Sequence, residues 1–452
     1  MNNRHLPWGS STLALSALIA ASLFAMVACG GAGQSSAVQS SGTPLSIGIG
    51  DAPADRVVSF EITINSLALV RSDGTSVNVL SSPRRLELTH LSGTIEHVAF
   101  ANAPAGSYAS ATVAYANPEV TFIAANGLLV HKELSTTGTL NISLNPPVTL
   151  GGAASVLSFD VDASQSINID LATNGVTISP VFSLQASAQI PSDEQEVEPE
   201  DGELRDIVGQ VTGVAGSSFT ISLGQTGASM TFQTNSSTEF KEGLAGVSAL
   251  SAGMIVQVEG ITRADGSLLA QEVESESENG AEAEGLVVTI DSPSQFQMVA
   301  QDGGGAGMVA AQVGQTVTVN HGQKFAIGAK NANLSSLPFA PTFNAVSLGQ
   351  RVEADSDAAV TGTTVQAGKI KLLEQSLSGV VSNSSPASFT LTVAADSAFR
   401  LITSASTVTV YRQNNTQLKG LNSISDGATV RVRGLLFFDG STYRLFAGRI
   451  TQ

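Results

Sequence analysis

Residues Ile47–Gly74 read "IGIGDAPADRVVSFEITINSLALVRSDG", and this stretch decides the fold class. Phe60, Ile62 and Ile64 alternate with polar residues, so on an extended chain they share one face. Leu67 and Leu69 resume the alternation after a phase shift, and Ser72–Gly74 supplies a turn into "TSVNVL". Upstream, Pro53 fixes its own φ and biases Ala52 towards extended geometry. Asp51 and Asp55 are therefore expected as turn-makers at the exit of the first strand. The competing reading is a cation held by the pair, but calcium takes about six to eight oxygens, more than these two carboxylates supply.

The alternation continues through "RRLELTHL", "GSYASATVAYA", "EVTFIAA", "GLLVHKEL", "TLNISL", "SVLSFDV" and "GVTISPVFSLQASAQI". Roughly seven to nine short strands punctuated by Gly, Pro and Asn predict a β-sandwich, immunoglobulin- or transthyretin-like, over residues 44–190. "PSDEQEVEPEDGELRD" follows, with eight acidic residues and one basic, and reads as a solvated acidic linker over 191–206. A second acidic patch, "ESESENGAEAE", reads as another spacer over 274–284.

Between and beyond the two patches lies a repeat. One copy opens "VGQVTGVAGSSFTISL" and a later one "LSGVVSNSSPASFTLTV". Each then has a strand of the form G-(M/A)-x-V-x-V-x-G (Gly253–Gly260, Gly427–Gly434), a "DGS" hairpin (Asp265–Ser267, Asp439–Ser441) and a closing strand. A middle copy keeps "EGLVVTIDSPSQFQMVA" and "SLGQRVEAD" but inserts "DGGGAGM" and a long "NANLSSLPFAPTFNAV" loop. Segments of this length can close into small OB-like β-barrels, which removes exposed sheet edges. Three are expected, at 207–273, 285–375 and 376–452, making the whole chain all-β.

The address is written at the front. A basic head at Arg4 and His5, the apolar run Ser11–Ala28 and the small residues after it form a secretory signal over 1–28. Met26-Val27-Ala28-Cys29 resembles the lipobox of bacterial lipoproteins, which implies a lipid on Cys29 and a Gly/Ser-rich tether over 29–43. Cys29 is the only cysteine, so no internal disulfide can form. The "DAPAD" stretch, "APAGSYASATVAY" and "LSFDVDASQSINID…ISPVF" resemble an uncharacterised β-domain found at the front of bacterial and archaeal lipoproteins. The repeats resemble a second uncharacterised family of small β-domains in secreted or surface proteins, and neither family implies catalytic residues.

Net charge is −17 for the full chain and −18 once Arg4 leaves with the signal, which disfavours nucleic acid as a partner. "DVDASQS" (Asp160–Ser166) starts like a calcium loop, but Gln165 and Leu171 replace the required glycine and carboxylate. Asp162 or Ser164 is expected to cap a helical turn, and a joint cation site of Asp160 or Asp162 with Asp51 or Asp55 is the alternative. His90, His97, His131 and His321 lack the spacing of a helical zinc site, and no nucleophile elbow or P-loop is present. The expectation is therefore no catalytic residues, no cofactor and no metal, although a convergent hydrolase site using Asp51, Asp160 or His90 needs only a shared pocket.

The last repeat reverses the charge trend. Arg400, Arg412, Lys419, Arg431, Arg433, Arg444 and Arg449 outnumber Asp396, Asp426 and Asp439, with Tyr411, Phe437, Phe438, Tyr443 and Phe446 among them. This is either a binding face for an anionic polymer or the solvated side of ordinary strands. The functional expectation is a lipid-anchored, exported envelope protein, periplasmic or at the surface, that presents β-domains as spacers or interaction modules. A carbohydrate- or envelope-polymer-binding lipoprotein is the alternative, with a polysaccharide or a protein as partner.

Overall fold

Phe60, Ile62 and Ile64 enter one apolar cluster, each at most 5 % exposed, with Leu67 and Leu69 beside them. The computed structural model describes residues 43–452 apart from 53–55, 81, 93–94, 152–154, 189–202, 224–227, 264–266, 277–279, 306–312, 329–333, 361 and 415. The signal, Cys29 and the tether up to residue 42 lie outside the described residues, as do Asp55 and most of the first acidic linker; Thr43 already belongs to the first strand.

The N-terminal strands are β1 (Thr43–Ala52), β2 (Val57–Arg71), β3 (Ser76–Asn78), β4 (Arg84–Glu87), β5 (Ile95–Ala103) and β6 (Gly106–Ile123). Then come β7 (Leu129–Glu133), β8 (Thr137–Leu150), β9 (Ser155–Asp162), α1 (Ala163–Ser166), the hairpin β10 (Ile167–Asp170) and β11 (Gly175–Ile178), and β12 (Phe182–Ala188). One sheet runs β12-β9-β1-β5, with β1 and β9 parallel. The facing sheet runs β3-β2-β6-β7, with β4 also on β2 and β8 also on β6. The central strands are long rather than short: β2 has 15 residues and β6 has 18. Register shifts along the β2–β6 pair let such strands bend with the sandwich.

The first repeat holds β13 (Glu203–Ala215), β14 (Ser218–Leu223), β15 (Ala228–Gln233), β16 (Glu239–Phe240), β17 (Ile255–Thr262) and β18 (Leu268–Glu276). Its path β15-β14-β13-β17-β18 closes because β15 pairs in parallel with β18, which is the OB order. The second holds β19 (Ala281–Ser292), β20 (Gln295–Gly305), β21 (Thr316–His321), β22 (Phe325–Ile327), β23 (Arg351–Ser356), β24 (Thr364–Ala367) and β25 (Lys369–Leu372). Here the closing strand is split at Gly368, with β24 on β21 and β25 on β23. The third repeats the first: β26 (Glu374–Ser382), β27 (Ser388–Val393), α2 (Ala398–Thr403), β28 (Thr407–Tyr411), β29 (Gln417–Lys419), β30 (Thr429–Phe438) and β31 (Tyr443–Thr451).

The shared glycine ending the G-x-V-x-V-x-G strand has a packing reason. A Cβ on Gly260 would overlap the Leu269 carbonyl, and one on Gly434 the Phe446 carbonyl, where the closing strand bulges inward. In the second repeat Ser356 occupies that place opposite the first strand, and the closing strand breaks instead.

Two expected boundaries need correction. Residues 274–284 are not a spacer, because 274–276 finish β18 and 281–284 begin β19. Ala281 and Ala283 are buried while Glu282 and Glu284 are half-buried, so the acidic run is the outer half of an alternating strand. Glu284 is in close contact with Arg351, which balances one of those charges. Likewise residues 203–206 of the expected linker already belong to β13. The sandwich and repeats do not hang as beads, since Ser41–Gln452 form one compact unit.

Candidate functional site

Two histidine–carboxylate clusters sit on the sandwich sheet that faces the second repeat. In the first, β4 ends at Glu87 and a short 3-10 turn, Thr89–Leu91, carries His90 back over it. Glu87 Oε1 accepts from the Phe60 amide (2.9 Å), the Thr89 amide (3.1 Å) and the Thr89 hydroxyl (2.5 Å). Its Oε2 accepts from the His90 amide (3.1 Å) and contacts His90 Nδ1 (2.7 Å). Burial opposes the charge, yet His90 and these donors hold the Glu87 carboxyl below its usual range. Burial likewise pushes the imidazole down, but Glu87 reverses that and raises it.

This turn ties the sandwich to two repeats. Gln301 of β20 donates to the Val58 carbonyl (2.8 Å) and the Thr89 hydroxyl (3.1 Å). Arg433 of β30 donates to the carbonyls of His90 (3.3 Å) and Ser92 (3.2 Å), and the Ser376 hydroxyl also donates to Ser92. Beside them Val58 and Ile123 of the sandwich pack with Val299 of the second repeat and Ala398 of the third. The ring and the backbone of His90 are thus both engaged in this junction.

The second cluster lies on the β6–β7 hairpin. A turn at Asn126-Gly127 sets the register Glu119↔Glu133 and Thr121↔His131, so all four side chains project from one face. His131 Nε2 lies 3.5 Å from Glu119 Oε2 and 3.7 Å from Glu133 Oε1. His131 Nε2 is buried and has no hydrogen-bond partner, while Nδ1 contacts the Thr121 hydroxyl at 2.9 Å. Thr121 in turn donates to the Gly314 carbonyl of the second repeat.

Arg85 adjoins this face, in close contact with Glu61 and 2.5 Å from Glu119. Burial pushes the Glu61 carboxyl up to about 7; Arg85 pulls it down, and Glu119 and Glu87 add to the rise. Glu61 is 2 % exposed, so its charge is costly even beside a guanidinium.

The other sequence candidates are dispersed. Asp51 stands in β1 beside β9, but its side chain lies outside the described residues, as does that of His97. Asp160 is raised by burial, opposed by the charge of Arg431 from the third repeat. Asp162 is the N-cap of α1, accepting from the Gln165 amide (3.0 Å) and the Ser164 hydroxyl (2.5 Å). His321 packs between Phe296 and Phe325 in the second repeat, tilted to one ring and edge-on to the other, far along the chain from the sandwich groups.

Several basic residues of the last repeat are engaged within the protein. Arg412 holds the Ser385 and Pro386 carbonyls, Arg433 pairs with Glu374, and Arg444 pairs with Asp439. Phe339, from the long loop of the second repeat, packs on Tyr411 and Phe437 with Arg444 over its ring. An open cleft of about 650 Å³ does remain between these two repeats. It is walled by Ile290 and Ser347 on one side and by Thr403, Ser404, Phe438 and Tyr443 on the other.

Residues 208–274 match a family described as a domain of unknown function, DUF5666. The match falls on the first repeat. It spans the barrel strands β13 to β18 almost end to end, and the family's description carries no activity. No curated protein matches the chain.

Sequence reasoning passed over Glu119, Glu133 and Glu87. The first two become neighbours of His131 only when the strands are paired across Asn126-Gly127, a hairpin signal present in the sequence. Glu87 and His90 are three residues apart, but the amide that completes their site comes from Phe60.

Proposed function

We propose that the protein is an exported, non-catalytic envelope protein, lipid-anchored through Cys29, whose sandwich and repeats act together as one interaction head. The observation that carries this reading is the junction at Val58 and Glu87–Ser92, where hydrogen bonds from the second and third repeats meet the sandwich. Domains joined in that way offer a fixed composite surface, which suits recognition better than it suits an extensible spacer. Among the described residues no helix is long and apolar enough to cross a membrane. The anchor assigned here is the apolar run ending at Cys29, where two acyl signals would hold stably and one only marginally. Membrane fractionation of a Cys29→Ala variant tests the anchor: release into the soluble envelope fraction is expected, and unchanged retention contradicts it. Crosslinking and pull-down from membranes tests the head, with a partner captured by the wild type and lost on disrupting the junction.

A second reading, binding of an envelope polysaccharide, is favoured by the cleft between the second and third repeats. Its volume is within the range of small-ligand sites, and its wall combines hydroxyls with the ring of Phe438. A saturable thermal shift with one glycan of an envelope panel, abolished in Phe438→Ala, supports this reading; identical shifts in both proteins contradict it.

A further inference from the structure

We propose that Glu119, His131 and Glu133 form a binding site for a divalent transition cation of the zinc class. The Thr121 hydroxyl has one proton and gives it to the Gly314 carbonyl, which cannot donate. His131 Nδ1 must therefore carry the hydrogen in its contact with Thr121, which leaves Nε2 as the bare nitrogen of the neutral ring. That nitrogen is buried without a hydrogen-bond partner and looks towards two carboxylate oxygens. A lone pair facing two anions needs a cation between them, either a proton or a metal.

Zinc bonds nitrogen and oxygen at about 2.0–2.2 Å, and a tetrahedral arrangement then separates the ligand atoms by about 3.4 Å. The observed separations from Nε2 are 3.5 and 3.7 Å, and all three donor atoms lie within 4.8 Å of one another. Those are distances for atoms around a shared ion rather than for direct hydrogen bonds. An imidazole with two carboxylates suits zinc and its neighbours better than calcium, which prefers an all-oxygen shell.

Charge and access agree. Arg85 pairs with Glu61 and Glu119, while Glu133 meets only His131 among the ion pairs of the described residues, so its carboxylate gains from a cation. Glu133 is 71 % exposed, so an ion arrives from solvent at its carboxylate, with the buried His131 Nε2 as the inner ligand and water in the fourth position. Thr121 supplies the outer hydrogen bond that orients a metal-binding histidine, and Gly314 ties that orientation to the second repeat.

The test uses the full chain in detergent with Cys29→Ala, so that no thiol competes. After chelator treatment, zinc is titrated by calorimetry, and cobalt by visible absorption as a reporter of a tetrahedral nitrogen–oxygen site. One equivalent is expected to bind, with affinity at least tenfold weaker in His131→Ala and in Glu133→Gln. His321→Ala should bind as the parent does. Thr121→Val should fall about tenfold while keeping the stoichiometry. Absence of saturable uptake, or equal affinity in the parent and His131→Ala, overturns the proposal and leaves a proton in the site. Glu133→Gln alters an exposed side chain, so its metal-free melting temperature should match the parent and separates lost binding from lost folding.

Discussion

The Glu87–His90 and Glu119–His131–Glu133 clusters use the same residue types on one sheet of one sandwich, yet their hydrogen-bond counts differ. Glu87 meets five donors, two of them from His90 itself, which fastens the turn. His131 has one nitrogen committed to Thr121 and the other facing carboxylates at distances too long for hydrogen bonds. Residue identity therefore does not separate a structural histidine from a candidate ligand; the accounting of each donor and acceptor does.

The comparison breaks most sharply at Glu87. Glu87→Ala leaves the Phe60 and His90 amides and a raised imidazole without their acceptor in a buried site. A loss of about 3 kcal/mol or more is expected in denaturant unfolding. A loss below about 1 kcal/mol would show that the turn is not the fastening described.

Glu61 makes the next largest difference, through pH. Its folded value near 7 lies above the unfolded 4.5, so the folded state holds the proton more tightly. Its contribution is fully present below pH 4.5 and is lost as pH rises towards and through 7, by about 3 kcal/mol at the limit. In chelator, the melting temperature of Glu61→Gln should therefore gain on the wild type from pH 4.5 to 8. A constant gap would mean that Arg85 already offsets the burial.

Gln301→Ala removes two hydrogen bonds between the second repeat and the sandwich, with an expected cost of about 1–2 kcal/mol. The smallest effect belongs to Glu133→Gln, within about 0.5 kcal/mol in the absence of metal. If Glu133→Gln destabilised as much as Glu87→Ala, the two clusters would not differ in kind.

The sandwich and the barrels were legible in the sequence because two-residue alternation is local: Phe60, Ile62 and Ile64 announce their face without help from the rest of the chain. The repeat was legible for the same reason, since Gly260 and Gly434 answer to a neighbouring strand within their own barrel. The acidic stretch at 274–284 was misread because its charge hid an alternation of Ala and Glu that Arg351 helps balance from 67 residues away. The docking of the repeats was not legible at all. Arg433 meets His90 across 343 residues, and no periodicity records such a contact. The candidate metal site lies between these cases, with its strand pairing local and its Gly314 tie distant.

The most direct test of the central claim, that sandwich and repeats form one head, is an electron–electron distance between spin labels. Ser72 in the sandwich and Ser441 in the third repeat are both exposed, and with Cys29→Ala the protein has no other thiol. Ser72→Cys and Ser441→Cys labels should give one narrow distance distribution in solution, broadened when Glu87→Ala is added. A broad distribution in the parent protein would contradict the account and return the domains to beads on a string.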